Sequence, residues 1–506
     1  MNRYPVLLLP LSVGLCLFVF SACGSSDTAS NDSLPVDNET TSIDEMEEFP
    51  DGPDRRDPRK QKGTRPETGE PITLEVIDDN ANPVYARGLL SQDEISNGWI
   101  SLFDGETLFG WQSNNPEVNW KVEQGVLSAD VGPAGLLLTS VPFTNYELIC
   151  EFRLEAGGNS GIFLRSTFNP QDLERDCLEL NLAHEHPEGY TTGSLVSRAK
   201  VKEVVPPSTD WQTLHVIANR ANILVELNGK EILSYRETAE SPRLAGLIGL
   251  QQRIGKVEFR KVNLRPHPMK SLFNGANLEG WKEVPGSKAR FTVEDNCLRV
   301  QGGLGFLETT DEYRNFIFQT EVRTRIPEIN SGFFFRTEPG TEKAPSNGYE
   351  VQIHNGFKDQ DRNQPNNSGS GAIFRRAEAR RVVANDLEWY TMTLVANGPR
   401  YAVWVAGYEV VDWTDDRPAD PNPRKGLRLE KGHISLQGHD PTTDCEFRGL
   451  SLSELPDDDG TAASVKVEPA PAPAKAQPAT SSASPRETAA EKEKEKKVES
   501  PAKPGT

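Results

Sequence analysis

A chain of 506 residues is long enough for two or three domains, and its formal net charge of −20, with no large basic block outside the C-terminal tail, argues against a nucleic-acid surface. Its 41 glycines and 37 prolines suit a turn-rich all-β body with disordered flanks.

At the N-terminus Arg3 supplies a short positive region, and residues 6–20 form an almost unbroken apolar run, too short for a membrane span. The run closes on Phe20-Ser-Ala-Cys23-Gly24, which resembles the lipobox of bacterial lipoproteins, where the signal is cut before a Cys whose thiol is lipidated. Phe20 stands where that pattern usually has Leu. Residues 1–23 are read as a lipoprotein signal peptide with Cys23 the lipidation site, an ordinary secretory signal being the alternative. The mature protein is then exported and lipid-anchored in the cell envelope, periplasm-facing or at the cell surface, with no membrane contact beyond its anchor. Residues 24–90 are rich in Ser, Asp, Glu, Asn and Pro and read as a mostly disordered linker, sheet-like only over 72–85.

The body repeats itself. Ser101-Leu-Phe-Asp-Gly-Glu-Thr-Leu-Phe-Gly-Trp111 returns as Ser271-Leu-Phe-Asn-Gly-Ala-Asn-Leu-Glu-Gly-Trp281, an offset of 170. Asn159 and Glu179 return as Asn330 and Glu350 at 171, Trp211 as Trp389 at 178, Leu250-Gln251 as Leu436-Gln437 at 186, and Glu258 as Glu446 at 188. An unbroken order with slowly growing offset implies two homologous domains, 97–265 and 269–455. Each carries short alternating runs separated by turn residues, and Asn228-Gly229 between Val225-Glu-Leu and Glu231-Ile-Leu predicts a type I′ hairpin, with Ala406-Gly407 its counterpart. Many short strands without a helical period predict two tandem β-sandwiches. Residues 456–506, Pro-Ala-rich and then Lys-Glu-rich, read as a disordered tail.

Cys150 and Cys177 fall in the first domain, Cys297 and Cys445 in the second. Without Cys-x-x-Cys or Cys/His ligand spacing a structural zinc site is not expected; one disulfide per domain and four buried thiols remain equal alternatives.

The stretch 330–375 concentrates the candidate chemistry. Strict alternation puts Arg336 on one face with Phe334, and Glu350, Gln352 and His354 on one face of the next strand. The first domain keeps Arg165 and Glu179 but has Asn181 for Gln352 and Ala183 for His354, and its Leu250-Gln-Gln-Arg has no partner for His439. Arg336 and Glu350 are also read as a structural ion pair. His433 is read as a turn residue, and His184 and His186 as solvated histidines.

The opening Ser-Leu-Phe-(Asp/Asn)-Gly…Gly-Trp, the Asn-Ser-Gly…Arg and Tyr-Glu-Val-Gln-Ile strands, the Gly-Ala-Ile element, Trp-Tyr-Thr, and the closing Ile-Ser-Leu-Gln-Gly-His…Phe-Arg together resemble the bacterial 3-keto-disaccharide hydrolase domain family, twice over. The resemblance implies an all-β chain of two concanavalin/laminin-G-like jelly rolls acting on 3-oxo sugars. A carbonyl at C3 acidifies the C2 hydrogen, so cleavage asks for one base, one group that holds enolate charge, and one acid for the leaving oxygen. Glu350 or His439 is the candidate base and Arg336 the candidate oxyanion holder. Gln352, Gln437 and His354 are candidate substrate contacts. Trp389 is carried as a candidate sugar platform beside its simpler role in packing. No cofactor is required. A divalent cation held by Glu350, His354 and His439 is the alternative to the arginine, although nothing in their spacing demands one. The partner is a carbohydrate; the rival reading is a non-catalytic carbohydrate-binding or cell-surface adhesion protein. Because His354 and His439 are confined to the second domain, that domain is the expected active one.

Overall fold

The structure, a computed structural model, describes residues 89–420 and 424–457. The segments read as a leader with Cys23, as a linker and as a tail lie outside the described residues, up to residue 88 and beyond 457. Within the first domain the strands are β1 (Ile100–Ser101), β2 (Trp111–Ser113), β3 (Lys121–Glu123), β4 (Val126–Ala129), β5 (Gly135–Thr139), β6 (Tyr146–Leu154), β7 (Asn159–Ser166), β8 (Leu178–Ala183), β9 (Gln212–Asn219), β10 (Asn222–Leu227), β11 (Lys230–Arg236), β12 (Leu247–Gln252) and β13 (Val257–Pro266). The second has β14 (Lys270–Ser271), β15 (Trp281–Glu283), β16 (Arg290–Glu294), β17 (Cys297–Gln301), β18 (Gly305–Thr309), β19 (Phe316–Thr324), β20 (Ser331–Thr337), β21 (Tyr349–Ile353), β22 (Tyr390–Asn397), β23 (Arg400–Val405), β24 (Tyr408–Thr414), β25 (His433–Gly438) and β26 (Asp444–Glu454).

In each domain an eight-stranded sheet faces a five-stranded one. The first domain orders them β11-β10-β9-β6-β13-β4-β3, with β1 on β13, and β2-β5-β12-β7-β8; the second repeats both orders strand for strand, as β16-β17-β26-β19-β22-β23-β24, with β14 on β26, and β15-β18-β25-β20-β21. All pairings are antiparallel, and the chain is a tandem pair of jelly-roll sandwiches, as the repeat implied. The predicted hairpin turns are present. Asn228 and Gly229 (φ 52° and 78°) join β10 to β11, and Ala406 and Gly407 (φ 47° and 78°) join β23 to β24. Gln124 and Gly125 turn the chain between β3 and β4 as a further hairpin.

Alternation drives each core. In β6 every second residue is buried, and Tyr146, Leu148, Cys150, Phe152 and Leu154 face the opposing sheet. All four described cysteines are buried free thiols, so no disulfide staples either domain.

The domains share core residues. A helix, α1 (Gln92–Ser96), is opened by a capping box in which Ser91 Oγ accepts from Glu94 N while the Glu94 carboxylate accepts from Ser91 N. It precedes the first domain, yet Leu90, Ile95 and Trp99 belong to the second domain's core cluster. In return Ile317, Val395, Ala402 and Trp404 belong to the first domain's cluster. Both faces of β22 are therefore buried, whereas β9, its counterpart, buries alternate residues only.

Candidate functional site

The five-stranded sheet of the second domain turns Phe333, Phe335, Val351, Leu307 and Leu436 into the core. Its other face carries the polar residues. Pairing registers align them in rows: Glu350, Phe334, Ser435, Glu308, Lys282, and beside it Gln352, Gly332, Gln437, Phe306. Loops cover this face, so Glu350 is only 7% exposed, Gln352 1% and Gln437 6%. Gly332 is what makes room for the glutamate: a Cβ there would sit 3.0 Å from Glu350 Oε1.

Burial pushes the Glu350 carboxyl up to about 7, against the pull of Arg424 and Arg375. Arg424 lies on the loop before β25. Its guanidinium stands 4.0 Å from Glu350 Oε2 and over the Phe334 ring at 5.7 Å, and donates to Ser346 Oγ at 3.1 Å. Its side chain is 43% exposed, so water screens its charge and desolvation of the glutamate prevails. A carboxyl that titrates near neutrality beside a guanidinium can take a proton and keep the resulting negative charge close to a cation.

Arg336 is not part of this constellation. The register slips between Phe334 and Thr337, Arg336 takes φ 50°, and the bulge breaks the alternation that put it beside Phe334. The guanidinium turns inward and donates to the carbonyls of Arg314, Gly398 and Arg428 at 2.8, 2.7 and 2.9 Å, to Tyr401 Oη at 2.9 Å and to Asn315 Oδ1 at 3.0 Å. Arg165 repeats the clamp on the carbonyls of Thr144, Arg220 and Arg243. Both arginines are structural, and neither pairs with the glutamate of its domain. Trp389 is not on the site face either: the guanidinium carbons of Arg323 and Arg448 stack over its ring at 4.7 and 4.1 Å, on the eight-stranded sheet. Trp211 is held the same way by Arg153 and Arg260.

The histidines stand beyond the strand ends. His354, 8% exposed, has Nδ1 3.0 Å from the Ile329 carbonyl, to which it donates. His439 follows β25 and pairs through Nδ1 with Asp440 Oδ2 at 3.1 Å. Burial would raise the Asp440 carboxyl, but hydrogen bonds from Thr442 and His439 hold it below its ordinary value. By register His439 is two strands and four residues from Glu350, roughly 16 Å at standard sheet spacings, so the two cannot serve one proton. Glu350, His354 and His439 do not converge, and among the described residues no group of three His, Cys, Asp or Glu is placed to hold a metal ion. His433 begins β25 rather than a turn, 3.9 Å from Glu312. His184 is hydrogen-bonded through both ring nitrogens, to Gly157 N and Ser208 O, rather than solvated.

The first domain builds half of the same site. Glu179 and Gln251 crowd Gly161, each with an oxygen 3.4 Å from where a Cβ would be, and burial raises the Glu179 carboxyl against the pull of Arg253. Arg243 there donates to the Arg165 carbonyl as Arg428 donates to that of Arg336. Counting back the same four residues from each gives Ala239 and Arg424, so the first domain has no arginine at that point.

The model of the family described as a 3-keto-alpha-glucoside-1,2-lyase-like domain matches residues 98–265 and again 268–453. The chain belongs to this family. Among curated members a 3-keto-disaccharide hydrolase of Bacteroides thetaiotaomicron is 34% identical over 79 residues, a match covering 13% of this chain and 27% of that protein. The chain thus spans about a quarter of that relative's length. A Parabacteroides distasonis protein described as a glycosyl hydrolase superimposes with a TM-score of 0.33 at 21% identity, over 35% of this chain and 98% of the other. The carbohydrate-binding module CBM66 of Bacillus subtilis does so with 0.25 at 13%, over 31% and 95%. Domains of the 3-keto-alpha-glucoside-1,2-lyase-like family thus make up both sandwiches here, and an arginine at the place of Arg424 is present in only the second.

Proposed function

We propose that the second domain cleaves 3-oxo-glycosides by removing the proton at C2. Glu350 is the base. It takes the C2 hydrogen as its electrons form the C1–C2 double bond and the C1–O bond to the leaving group breaks. Arg424, joined by the field of Arg375 on the same glutamate, holds the charge that develops on the C3 oxygen. The leaving oxygen takes up the proton that Glu350 removed, which restores the carboxylate. Water then adds across the double bond, returning a proton to C2 and a hydroxyl to C1, which completes hydrolysis. This route needs one buried base rather than the two opposed carboxylates of oxocarbenium hydrolysis. The observation that carries it is the buried Glu350, pushed up to about 7, with a guanidinium 4.0 Å away on a domain of this family. We assign Gln352 and Gln437 to sugar hydroxyls and His354 to the end of the same face. The exported, lipid-anchored location through Cys23 belongs to the same proposal; Cys23→Ala should abolish acyl labelling of the protein in the envelope.

The test is turnover of a 3-oxo-glycoside, read as release of the free sugar. Glu350→Gln should abolish it, while Glu179→Gln should leave most of it. Equal loss from both would end the assignment to the second domain. A purely carbohydrate-binding role, the second reading, is favoured for the first domain by Ala239 standing at the place of Arg424. Binding without turnover by the whole protein would extend that role to both domains.

A further inference from the structure

The mouth of the site holds more positive charge than the proposed chemistry at C2 uses. Phe374 N donates to the Glu350 carbonyl at 2.9 Å, and the two residues after it are Arg375 and Arg376. Arg376 donates to the carbonyls of Arg375 and Arg424 at 3.1 and 2.6 Å, so the three arginines form one group. Among the described residues neither Arg375 nor Arg376 is in an ion pair. The Arg375 guanidinium carbon lies over the Phe374 ring at 5.4 Å, and among the described residues its nitrogens make no hydrogen bond. Asp415, whose charge reaches Arg376, is already held by Arg417 at 2.7 Å and by Tyr349 Oη at 2.6 Å. Partial burial and then the charge of Arg417 hold the Arg376 guanidinium below its ordinary value. Burial does the same to Arg424, with Arg375 adding to it against the pull of Glu350. Like charges gathered this closely on a chain of net charge −20 point to an anion that joins them.

The fold does not require this charge. Ile373 bridges to Ala377 as Leu195 does to Ala199, which aligns Arg375 with Ser197 and Arg376 with Arg198. Arg375 and Ser197 share a left-handed backbone, φ 60° and 61°, so a serine satisfies the same turn. Arg198 is structural: it pairs with Glu237 at 2.9 Å and donates to the carbonyls of Leu173, Glu174 and Cys177. Asn222 pairs with Arg236 as Arg400 pairs with Thr414, so Asp415 is the counterpart of Glu237. In the second domain Arg417 occupies that acid, and Arg376 reaches the Arg424 carbonyl instead. We propose that Arg375 and Arg376 bind a carboxylate or phosphate on the sugar that Glu350 acts on, so that the preferred substrate is an acidic glycoside. The proposal rests on the reading of Glu350 as the base at C2. Arginine suits the task because its planar fork meets two oxygens of a carboxylate or phosphate at once. Arg424 stays with the C3 oxygen, and the other two guanidinium groups take the fixed charge of the ring's substituent.

Calorimetry on the full chain compares methyl α-glucoside with methyl α-glucuronide and with methyl α-glucoside 6-phosphate, all unoxidised, so that binding is read without turnover. One acidic sugar or both should bind about tenfold or more tightly than the neutral glycoside, and which of them does so separates carboxylate from phosphate. The preference should shrink as salt is added. Arg375→Ser, which places the first domain's residue on the same backbone, should reduce it about threefold to tenfold. Arg376→Gln should reduce it more than Arg376→Lys, which keeps the charge without the fork. Melting curves exclude unfolded protein. No preference for either acidic sugar, or a preference unchanged in both Arg375→Ser and Arg376→Gln, would overturn the anion site. Turnover of neutral methyl 3-oxo-α-glucoside by the wild type is followed separately: its absence would end the hydrolase reading, while the affinity differences still decide the anion site.

Discussion

Glu350 ties chemistry to stability. Its carboxyl is raised from an ordinary 4.5 to about 7 by burial. The neutral form is favoured in the folded protein, so the contribution to stability is fully present below pH 4.5 and is lost as the pH rises through about 7. Above that point the fold carries a buried charge at a cost on the order of 3 kcal/mol. Glu350→Gln should therefore raise the denaturation midpoint at pH 8.5 and leave it nearly unchanged at pH 4, while turnover disappears. Wild-type kcat/KM should rise with pH through about 7, where the base loses its proton. A rate inflection near 4.5, or no stabilisation of the glutamine variant at high pH, would remove Glu350 from the role of base. The shared face of Glu350 and Gln352 was legible in the sequence because β21 runs without a bulge, and in the first domain Glu179 sits on Gly161 in the same way. Arg424 was not legible. It comes from a proline- and charge-rich loop without period, and only the fold carries it over the glutamate.

At the scale of elements, two kinds of arginine separate. Arg336 and Arg165 close a bulge by tying together carbonyls from three separate segments. Arg336→Leu would strand those buried acceptors and should cost at least about 3 kcal/mol. Arg424→Gln removes a half-exposed charge and should change stability by less than about 1 kcal/mol, yet lower kcat by about a hundredfold or more. Melting curves and kinetics on both variants check this, and an Arg424→Gln enzyme with wild-type kcat would sink the oxyanion role. The same contrast explains what strand patterns conceal. A period of two gives the strands and their inward faces, since core residues must alternate. One extra residue in β20 reverses the period from that point, so the face of Arg336 could not be read by counting. Trp389 shows the converse limit: an aromatic in a matched motif marks the repeat itself, and Trp211 sits in the same two-arginine clamp.

For the whole molecule, the shared cores make the two sandwiches one cooperative body. Trp404 lies on β23 of the second domain, 2% exposed, in the first domain's hydrophobic cluster; its Nε1 donates to the Ser101 carbonyl at 3.1 Å, and its ring meets Phe143 at 6.3 Å. Asp104 and Arg380 cross the same seam at 2.9 Å, and the Arg380 guanidinium carbon stacks over Phe109 at 4.1 Å. The repeat, visible in the sequence as matched motifs, says nothing of this seam, because residues that join the halves need not match between them. The residue of the first domain that corresponds to Trp404 is Glu226. Trp404 pairs with Thr393 on the covered sheet, while Glu226 pairs with His215 on a polar face. Covering one outer sheet and leaving its copy wet is what lets the two domains diverge, with the covered sheet freed from solubility and the wet one held by ion pairs such as Arg265 with Glu147. Trp404→Ala should then cost about 3–5 kcal/mol, as large aromatic truncations in a core do. Because the cavity opens in the first domain although the substitution is in the second, calorimetry should show the wild type unfolding in one transition and the variant in two, with the first domain's shifted down. A variant in which the first domain melts as in the wild type would show that the seam carries no shared stability.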